Sequence, residues 1–213
     1  MNWEITKSFS LCYGHRVHCQ TINTDFTERG HNKPKCRHLH GHEGTVDVSL
    51  EADKLNPQGM VCDFVWLGWL KNFLDDNIDH KFIIDIHDPL FERITGGIID
   101  STTDEKLNIT RFFTQTMQFT RTYDGIVTAK ILPIHIPGVK SYVAGYTIDT
   151  TYMEKTAFLE LYEGFVFVDF VPTSENLSGW LFDIVDTKMK QINVRTTKVV
   201  WWETPKSRSI YAA

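Results

Sequence analysis

The sequence feature that most constrains this fold is His40-Gly41-His42, which opens the alternating apolar and polar residues 42–53. In an extended strand, alternate side chains project from the same face, so both imidazoles would point the same way. His15 ends a second alternating stretch, residues 3–15. If the two stretches pair as neighbouring strands, three imidazoles converge on one point.

Three protein ligands with a fourth position free are typical of a catalytic zinc site. On spacing alone, a metal site and a pair of ordinary histidines both stay open, since most histidines bind no metal. His15 becomes a third ligand only through the fold, which the sequence does not show directly.

Cys36 lies four residues before His40, between Lys35 and Arg37. Positive neighbours and a nearby divalent cation favour the thiolate, which can act as a base or a nucleophile. A single thiol in an intracellular chain is more often inert filling. The residues alone therefore leave a catalytic and an inert Cys36 both open.

Three further polar residues are candidates for a site. Asp79-His80 is a carboxylate–imidazole pair, although such neighbours usually form a solvated turn. Glu203 follows two tryptophans, and its carboxylate could bind a flat, amidine-like group through two parallel hydrogen bonds. The alternative for Glu203 is an ordinary charge at the rim of the protein.

Length and charge limit the classes of protein to consider. The chain of 213 residues allows one domain or a small domain with a large insertion. Its net charge of -5 argues against nucleic-acid binding, and its apolar runs are too short to span a membrane. Four cysteines and no signal-peptide pattern favour reduced thiols and a cytoplasmic protein.

The remaining pattern predicts an α+β layer in which helices cover one face of antiparallel strands. One helix follows Asp63, and a second opens at Pro172-Thr173-Ser174-Glu175, where Thr173 or Ser174 is expected to cap it. Further strands are predicted at residues 125–136, 141–150, 156–170, 194–203 and 209–211, with a mixed stretch at 88–122.

Taken together, these features resemble the 6-pyruvoyl-tetrahydropterin synthase family, which includes the 6-carboxy-tetrahydropterin synthases of the 7-deazaguanine (queuosine) pathway. The resemblance covers residues 1–83 and 171–213, and residues 84–170 stand where the family usually has a short connection. The matching blocks are Phe9 to Arg16, Cys36-x-x-x-His40-Gly41-His42, Gly59 to Phe64, Ile78-Asp79-His80, Pro172 to Asn176, and Glu203-Thr204-Pro205 with Ser207 to Tyr211.

The resemblance implies the tunnelling fold, an antiparallel four-stranded sheet with two helices on one face, here with a β-rich insertion. It divides the chain into a catalytic domain, residues 1–83 and 171–213, and an insertion of unknown role, residues 84–170. It also implies a homo-oligomer, a hexamer or another trimer-based assembly, with active sites at subunit boundaries.

The resemblance further implies a role for each candidate residue. His15, His40 and His42 would bind Zn²⁺, and Cys36 would be the general base. Asp79 and His80 would form a proton relay, which a neighbouring subunit could supply. Glu203 would anchor the pterin ring. Further pterin contacts would come from Thr173, Ser174 and Glu175.

The implied substrate is 7,8-dihydroneopterin triphosphate. In the carboxy branch the product is 6-carboxy-5,6,7,8-tetrahydropterin, with release of acetaldehyde and triphosphate. Three residues separate Cys36 from His40, which resembles the carboxy branch more than the pyruvoyl branch. The alternatives are a 6-pyruvoyl-tetrahydropterin synthase and a zinc- and pterin-binding protein without turnover.

Overall fold

Nine strands form one mixed sheet in the part of the chain that the computed structural model describes, residues 3–27, 33–95, 118–122, 126–149 and 157–213. In chain order they are β1 (Trp3–His15), β2 (His40–Ala52), β3 (Lys81–Asp85), β4 (Gln118–Thr122), β5 (Ile126–Ile136), β6 (Val139–Asp149), β7 (Phe165–Val168), β8 (Arg195–Thr204) and β9 (Ser207–Ala212). Their order across the sheet is β4-β5-β6-β7-β3-β1-β2-β8-β9.

The strands β1 and β2 form a long antiparallel pair that confirms the alternation in the sequence. Pairing runs without interruption from Trp3 opposite Ala52 to His15 opposite His40. Strand β2 also pairs antiparallel with β8, and β8 with β9. These four strands form one antiparallel part of the sheet, β4 to β7 form another, and the α+β class is confirmed.

Two long helices, α1 (Gly68–Asn77) and α4 (Ser174–Met189), pack on the β1–β2–β8 region in one apolar core. The Thr173 hydroxyl accepts a hydrogen bond from the Asn176 N–H at 3.3 Å, so the predicted cap of α4 is confirmed. Asp63 caps the 3-10 turn Phe64–Leu67 that leads into α1. No helix in the described ranges is long and apolar enough to cross a membrane.

The expectation of a four-stranded antiparallel sheet is wrong, because β3 adds a parallel strand at the free edge of β1. Tyr13 pairs with Lys81, and β3 continues parallel to β7. Like most parallel strands, β3 is buried on both faces. Ile83 packs in the core with α1 and α4, whereas Ile84 packs in a second core on the opposite face.

The expectation of helices on one face only is also incomplete. Two short helices, α2 (Phe91–Ile94) and α3 (Ala157–Glu163), cover the opposite face of the sheet. Phe91 of α2 and Tyr162 of α3 are buried there with Phe165 and Phe167 of β7. Alternate residues of β7 face the two cores, so this part of the sheet is covered on both sides.

The strands predicted within residues 84–170 have mixed outcomes. Strands β5 and β6 confirm the predictions at 125–136 and 141–150 to within a few residues. The predicted strand at 156–170 is instead α3 followed by the shorter β7. Most of the mixed stretch 88–122, residues 96–117, lies outside the described residues. The division into a catalytic domain and an insertion stays a prediction.

Candidate metal centre

The pairing of β1 with β2 brings the three histidines to one face of the sheet. His15 lies opposite His40, and His42 lies opposite Tyr13, one position along the pair. Because residues alternate between faces in each strand, the imidazoles of His15, His40 and His42 project together. They emerge on the side of the sheet that α1 and α4 cover, at the end of the apolar row of β1 that includes Leu11.

The three imidazoles are close enough to share one ion. One ring nitrogen of each histidine lies within 4.8 Å of the corresponding nitrogen of the other two. Ring centroids are 4.5 Å apart for His15 and His40, 5.0 Å for His15 and His42, and 5.1 Å for His40 and His42. The predicted convergence of the three side chains is therefore confirmed.

Hydrogen bonds to backbone carbonyls fix the orientation of the rings. The Nδ1 atom of His15 lies 2.5 Å from the carbonyl oxygen of Pro172, and that of His40 lies 2.8 Å from the oxygen of His38. A carbonyl oxygen only accepts, so each Nδ1 carries the hydrogen and each Nε2 keeps its lone pair. This arrangement orients histidine ligands in zinc sites, and the donor set fits Zn²⁺.

Burial keeps the central ligand neutral, which is the form that binds a metal. His15 is 1% exposed, and burial lowers its pKa to about 4. Burial also lowers the pKa of His42, and the charge of His40 acts in the same direction. Burial therefore favours the neutral, metal-binding form of His15 and His42 by lowering the pKa of each.

A buried aromatic pair, Tyr13 and Trp201, lies next to the histidine rings. The sequence patterns did not predict this pair. The indole Nε1 of Trp201 donates to the hydroxyl of Tyr13 at 2.9 Å. The Tyr13 ring contacts both His15 and His42, with centroids 5.3 Å and 5.6 Å away. The alternation of β1 placed Tyr13 on this face, but its partner on β8 depends on a long-range register.

Glu203 lies beside the histidines, at the end of β8. Its Oε1 atom is 3.8 Å from the Nε2 of His15. Burial raises the pKa of Glu203, and the charge of Glu175 raises it further, whereas the charge of His40 lowers it. The structure thus brings Glu203 together with the predicted metal ligands.

The start of α4 is linked to Glu203 through Glu175, because burial and the charge of Glu175 together raise the pKa of Glu203. The Ser174 hydroxyl donates to Glu175 Oε2 at 3.4 Å, and the carbonyl of Ser174 accepts a hydrogen bond from the Ser209 hydroxyl at 2.6 Å. The Thr173 hydroxyl caps the helix. The Pro172 carbonyl, in the turn before α4, accepts the hydrogen bond from His15. The same turn therefore begins α4 and orients the His15 ring.

Cys36 lies on a 3-10 turn, Lys35–Arg37, just before β2. Its carbonyl oxygen accepts from the N–H of Val17 at 2.8 Å, and its own N–H donates to Oε1 of Gln20 at 2.9 Å. Val17 follows His15 by two residues, and Cys36 precedes His40 by four. The turn is therefore held between the ends of the two strands that carry the ligands.

Asp79 and His80 form a pair at the edge of β1. Asp79 Oδ2 lies 2.9 Å from Nδ1 of His80, and Asp79 Oδ1 accepts from the N–H of Cys12 at 2.7 Å. The His80 side chain is 80% exposed and has a left-handed backbone, with φ of 57°. It lines an open cleft of about 850 Å³ that also includes Lys81, Phe82 and Leu161.

The same cleft is lined by two of the predicted metal ligands, His40 and His42. Gly14 and Gly41, which pair with each other and alternate in their strands with the histidines, also line it. His80 and two predicted ligands therefore border one cleft, and the role of Asp79 and His80 as a proton relay stays a prediction.

Comparison with known proteins extends over nearly the whole chain. The family model described as 6-pyruvoyl tetrahydropterin synthase matches residues 4–213. A protein of Aquifex aeolicus (strain VF5), named 6-carboxy-5,6,7,8-tetrahydropterin synthase, is 27% identical over an alignment 221 residues long, which covers 99% of this chain and 98% of the relative. A protein of the same name from Rickettsia typhi is 35% identical over 95 residues, 41% of this chain and 63% of the relative.

A solved structure also resembles the whole chain. An uncharacterized protein from Wolinella succinogenes is 35% identical, has a TM-score of 0.72, and is matched over 98% of its length by 100% of this chain. Residues 84–170 thus have counterparts in relatives, although the motifs that suggested the family lie outside them. Because the family model matches residues 4–213, the chain belongs to the 6-pyruvoyl tetrahydropterin synthase family.

Proposed function

We propose that this protein is a zinc-dependent lyase that converts 7,8-dihydroneopterin triphosphate to 6-carboxy-5,6,7,8-tetrahydropterin, releasing acetaldehyde and triphosphate. This reaction belongs to the route to 7-deazaguanine and queuosine precursors. The observation that carries the proposal is the convergence of three imidazoles with the Glu203 carboxylate 3.8 Å from His15. Relatives named 6-carboxy-5,6,7,8-tetrahydropterin synthase support the carboxy branch.

In this proposal His15, His40 and His42 hold the zinc and leave one coordination position for substrate. Zinc bound there would act as a Lewis acid that makes the adjoining C–H bonds of the substrate side chain more acidic. The carbonyls of Pro172 and His38 keep the ligand rings in their orientation.

Glu203 and Cys36 have complementary roles. The Glu203 carboxylate accepts two parallel hydrogen bonds from the amidine-like edge of the pterin, with Thr173, Ser174 and Glu175 as neighbours of the ring. The Cys36 thiolate then removes a proton from the side-chain carbon that lies near the histidines. Both groups lie on elements that end at the site, β8 and the turn before β2.

Asp79 and His80 relay protons to and from Cys36, and in this proposal they come from a neighbouring copy. The His80 side chain is 80% exposed, so it is accessible to a second chain. A homo-oligomer built from trimers would bring the His80 of one copy to the Cys36 of the next. We place this enzyme in the cytoplasm.

The experiment that tests the function is incubation of the zinc-loaded protein with 7,8-dihydroneopterin triphosphate. Mass spectrometry identifies the pterin product, and a hydrazine trap measures acetaldehyde. We expect 6-carboxy-tetrahydropterin and acetaldehyde in equal amounts. A pyruvoyl product without acetaldehyde would instead indicate 6-pyruvoyl-tetrahydropterin synthase, which the family's description favours. Binding without either product would indicate a zinc- and pterin-binding protein without turnover.

A further inference from the structure

Two buried carboxylates, Asp85 at the end of β3 and Asp88 in the turn that follows, lie outside the histidine site. The side chains of Asp85 and Asp88 are only 3% and 1% exposed. A buried carboxylate is costly unless a partner compensates for its charge. Both find partners in the segment after His15. Asp85 Oδ2 lies 3.0 Å from Nε2 of His18, and Asp88 Oδ2 lies 3.3 Å from Nε of Arg16.

The turn that carries these carboxylates is itself firmly held. Asp85 Oδ1 accepts from the N–H of His87 at 2.9 Å, and Asp88 Oδ1 accepts from the N–H of Leu90 at 2.8 Å. The N–H of Ile86 donates to the carbonyl of Val168, at the end of β7, at 3.0 Å. The two carboxylates are therefore held in fixed positions at the carboxyl end of β3.

Residues 16–20, the segment that contacts the two carboxylates, also hydrogen-bond the backbone of Cys36. Val17 lies between the two residues that meet the carboxylates, and its N–H donates to the Cys36 carbonyl. Gln20 accepts from the Cys36 N–H, and the N–H of Gln20 donates to the Val17 carbonyl at 3.2 Å. Both backbone polar groups of Cys36 thus depend on a segment that Asp85 and Asp88 anchor.

We propose that Asp85 and Asp88 are positioning residues for Cys36, acting through His18, Arg16 and residues 16–20. The proposal rests on the proposed function in one respect, the role of Cys36 as the base. In this proposal the start of residues 84–170 has a function: it keeps the Lys35–Arg37 turn, which carries Cys36, in place relative to the metal ligands. An error of about 1 Å in such a group costs about 100-fold in rate.

The test compares Asp85→Asn and Asp88→Asn with wild type. Asparagine keeps the shape and the oxygen that accepts from the backbone but removes the charge that holds Arg16 or His18. The expected result is a kcat lowered about 10- to 100-fold, with KM changed by less than about twofold. Zinc content, measured by mass spectrometry, stays unchanged.

Asp186→Asn is the matched control. Asp186 also pairs with a cation, Lys190, at 2.5 Å, and its side chain is 16% exposed. It lies on α4, away from residues 16–20. The control variant is expected to keep kcat within about twofold of wild type, because its loss of charge leaves the support of Cys36 intact.

Amide hydrogen exchange gives a second readout that does not need turnover. In Asp85→Asn and Asp88→Asn, peptides that cover residues 16–20 and 33–38 should exchange at least about tenfold faster, whereas peptides from β2 keep their wild-type rates. If wild type makes no product, the proposed function fails, and exchange still decides whether the carboxylates hold Cys36.

Wild-type exchange at residues 33–38 in both variants would overturn the proposal, as would faster exchange with an undiminished kcat. If an asparagine variant does not fold, His18→Ala removes the partner of Asp85 instead, from the less buried side of the pair, since the His18 side chain is 15% exposed. The same loss of kcat and faster exchange are expected there, and wild-type values for both would overturn the role of Asp85.

Discussion

The Nε2 atoms of His15 and His42 lie 3.1 Å apart across the β1–β2 pair. The Nδ1 of His15 donates to the Pro172 carbonyl, so the Nε2 of His15 keeps its lone pair and lies against the Nε2 of His42. A cation shared between the two rings would accept that lone pair, so this short contact is best explained as half of a metal site.

We expect His40→Ala to lower zinc affinity by more than about 100-fold, since removal of a direct ligand costs more than loss of an outer partner. Zinc content after dialysis against a weak chelator measures the effect. His38→Ala is the control, because His38 supplies only its backbone oxygen to the His40 ring. Equal zinc content in the two variants would contradict the assignment of His40 as a ligand.

Removal of the thiol should separate metal binding from turnover. We expect Cys36→Ala to lower kcat about 100- to 10,000-fold, the contribution of a well-placed general base, while zinc remains bound. Cys19→Ala, which removes an exposed thiol from the neighbouring loop, should leave kcat unchanged. An active Cys36→Ala protein would remove Cys36 from the mechanism.

Two variants that are each inactive alone should regain activity in mixed oligomers if the Asp79–His80 relay comes from a neighbouring copy. When Cys36→Ala and His80→Ala chains are co-expressed and assembled at random, about one quarter of shared sites would contain both native residues. Turnover per site should therefore recover to about that fraction of wild type. Mixing each variant with itself is the control. No recovery in mixed oligomers would place both residues in the site of one chain.

The Glu203 carboxylate is expected to provide much of the affinity for pterin. Hydrogen bonds to a charged group contribute about 1.5–3 kcal/mol, so Glu203→Gln should weaken binding of dihydroneopterin about 10- to 100-fold. Isothermal titration calorimetry measures this change. Glu4→Gln alters an exposed ion pair with Lys198 and should leave the affinity unchanged.

The same substitution should raise the stability of the zinc-free protein. Burial and Glu175 raise the pKa of Glu203, so the folded state opposes its ionisation. That penalty is present above the raised pKa and disappears as pH falls through it. Glu203→Gln should thus raise the melting temperature at pH 7 but have little effect at pH 4. A lower melting temperature at pH 7 would show that the charge is stabilising.

Gly14 should not tolerate a side chain. A Cβ atom built on Gly14 would lie 2.5 Å from Cδ2 of Phe82. Gly14→Ala should therefore lower the free energy of unfolding by about 1–3 kcal/mol, the usual cost of overpacking. Phe82→Leu in the same chain should recover part of this loss, measured by urea denaturation. Additive losses in the double variant would show that the two residues do not clash.

The local parts of the fold were predictable because their signals lie within short stretches. The alternation in β1 and β2 identified both strands and the face of each, and Thr173 identified the start of α4. Residues 157–163 were predicted as strand because aromatic and aliphatic residues suit either structure. The burial of Tyr162 in one cluster with Ile84 and Phe91 is tertiary, and no local pattern encodes it.

The candidate site was predictable only in part for the same reason. His40 and His42 share a face by spacing alone, whereas His15 joins them because the register places it opposite His40. The support from Trp201 and the anchoring of residues 16–20 by Asp85 and Asp88 both depend on pairs far apart in sequence. Such pairs leave no trace in composition or periodicity.

The parallel strand β3 has a consequence for how copies of this chain can meet. Because β3 pairs with the free edge of β1, the outermost strands of the described sheet are β4 and β9. If copies joined their sheets through these outermost strands into a closed barrel, each copy would contribute nine strands instead of four. The diameter of a closed barrel grows with its number of strands. Residues 84–170 therefore bear on the dimensions of any assembly built from this chain.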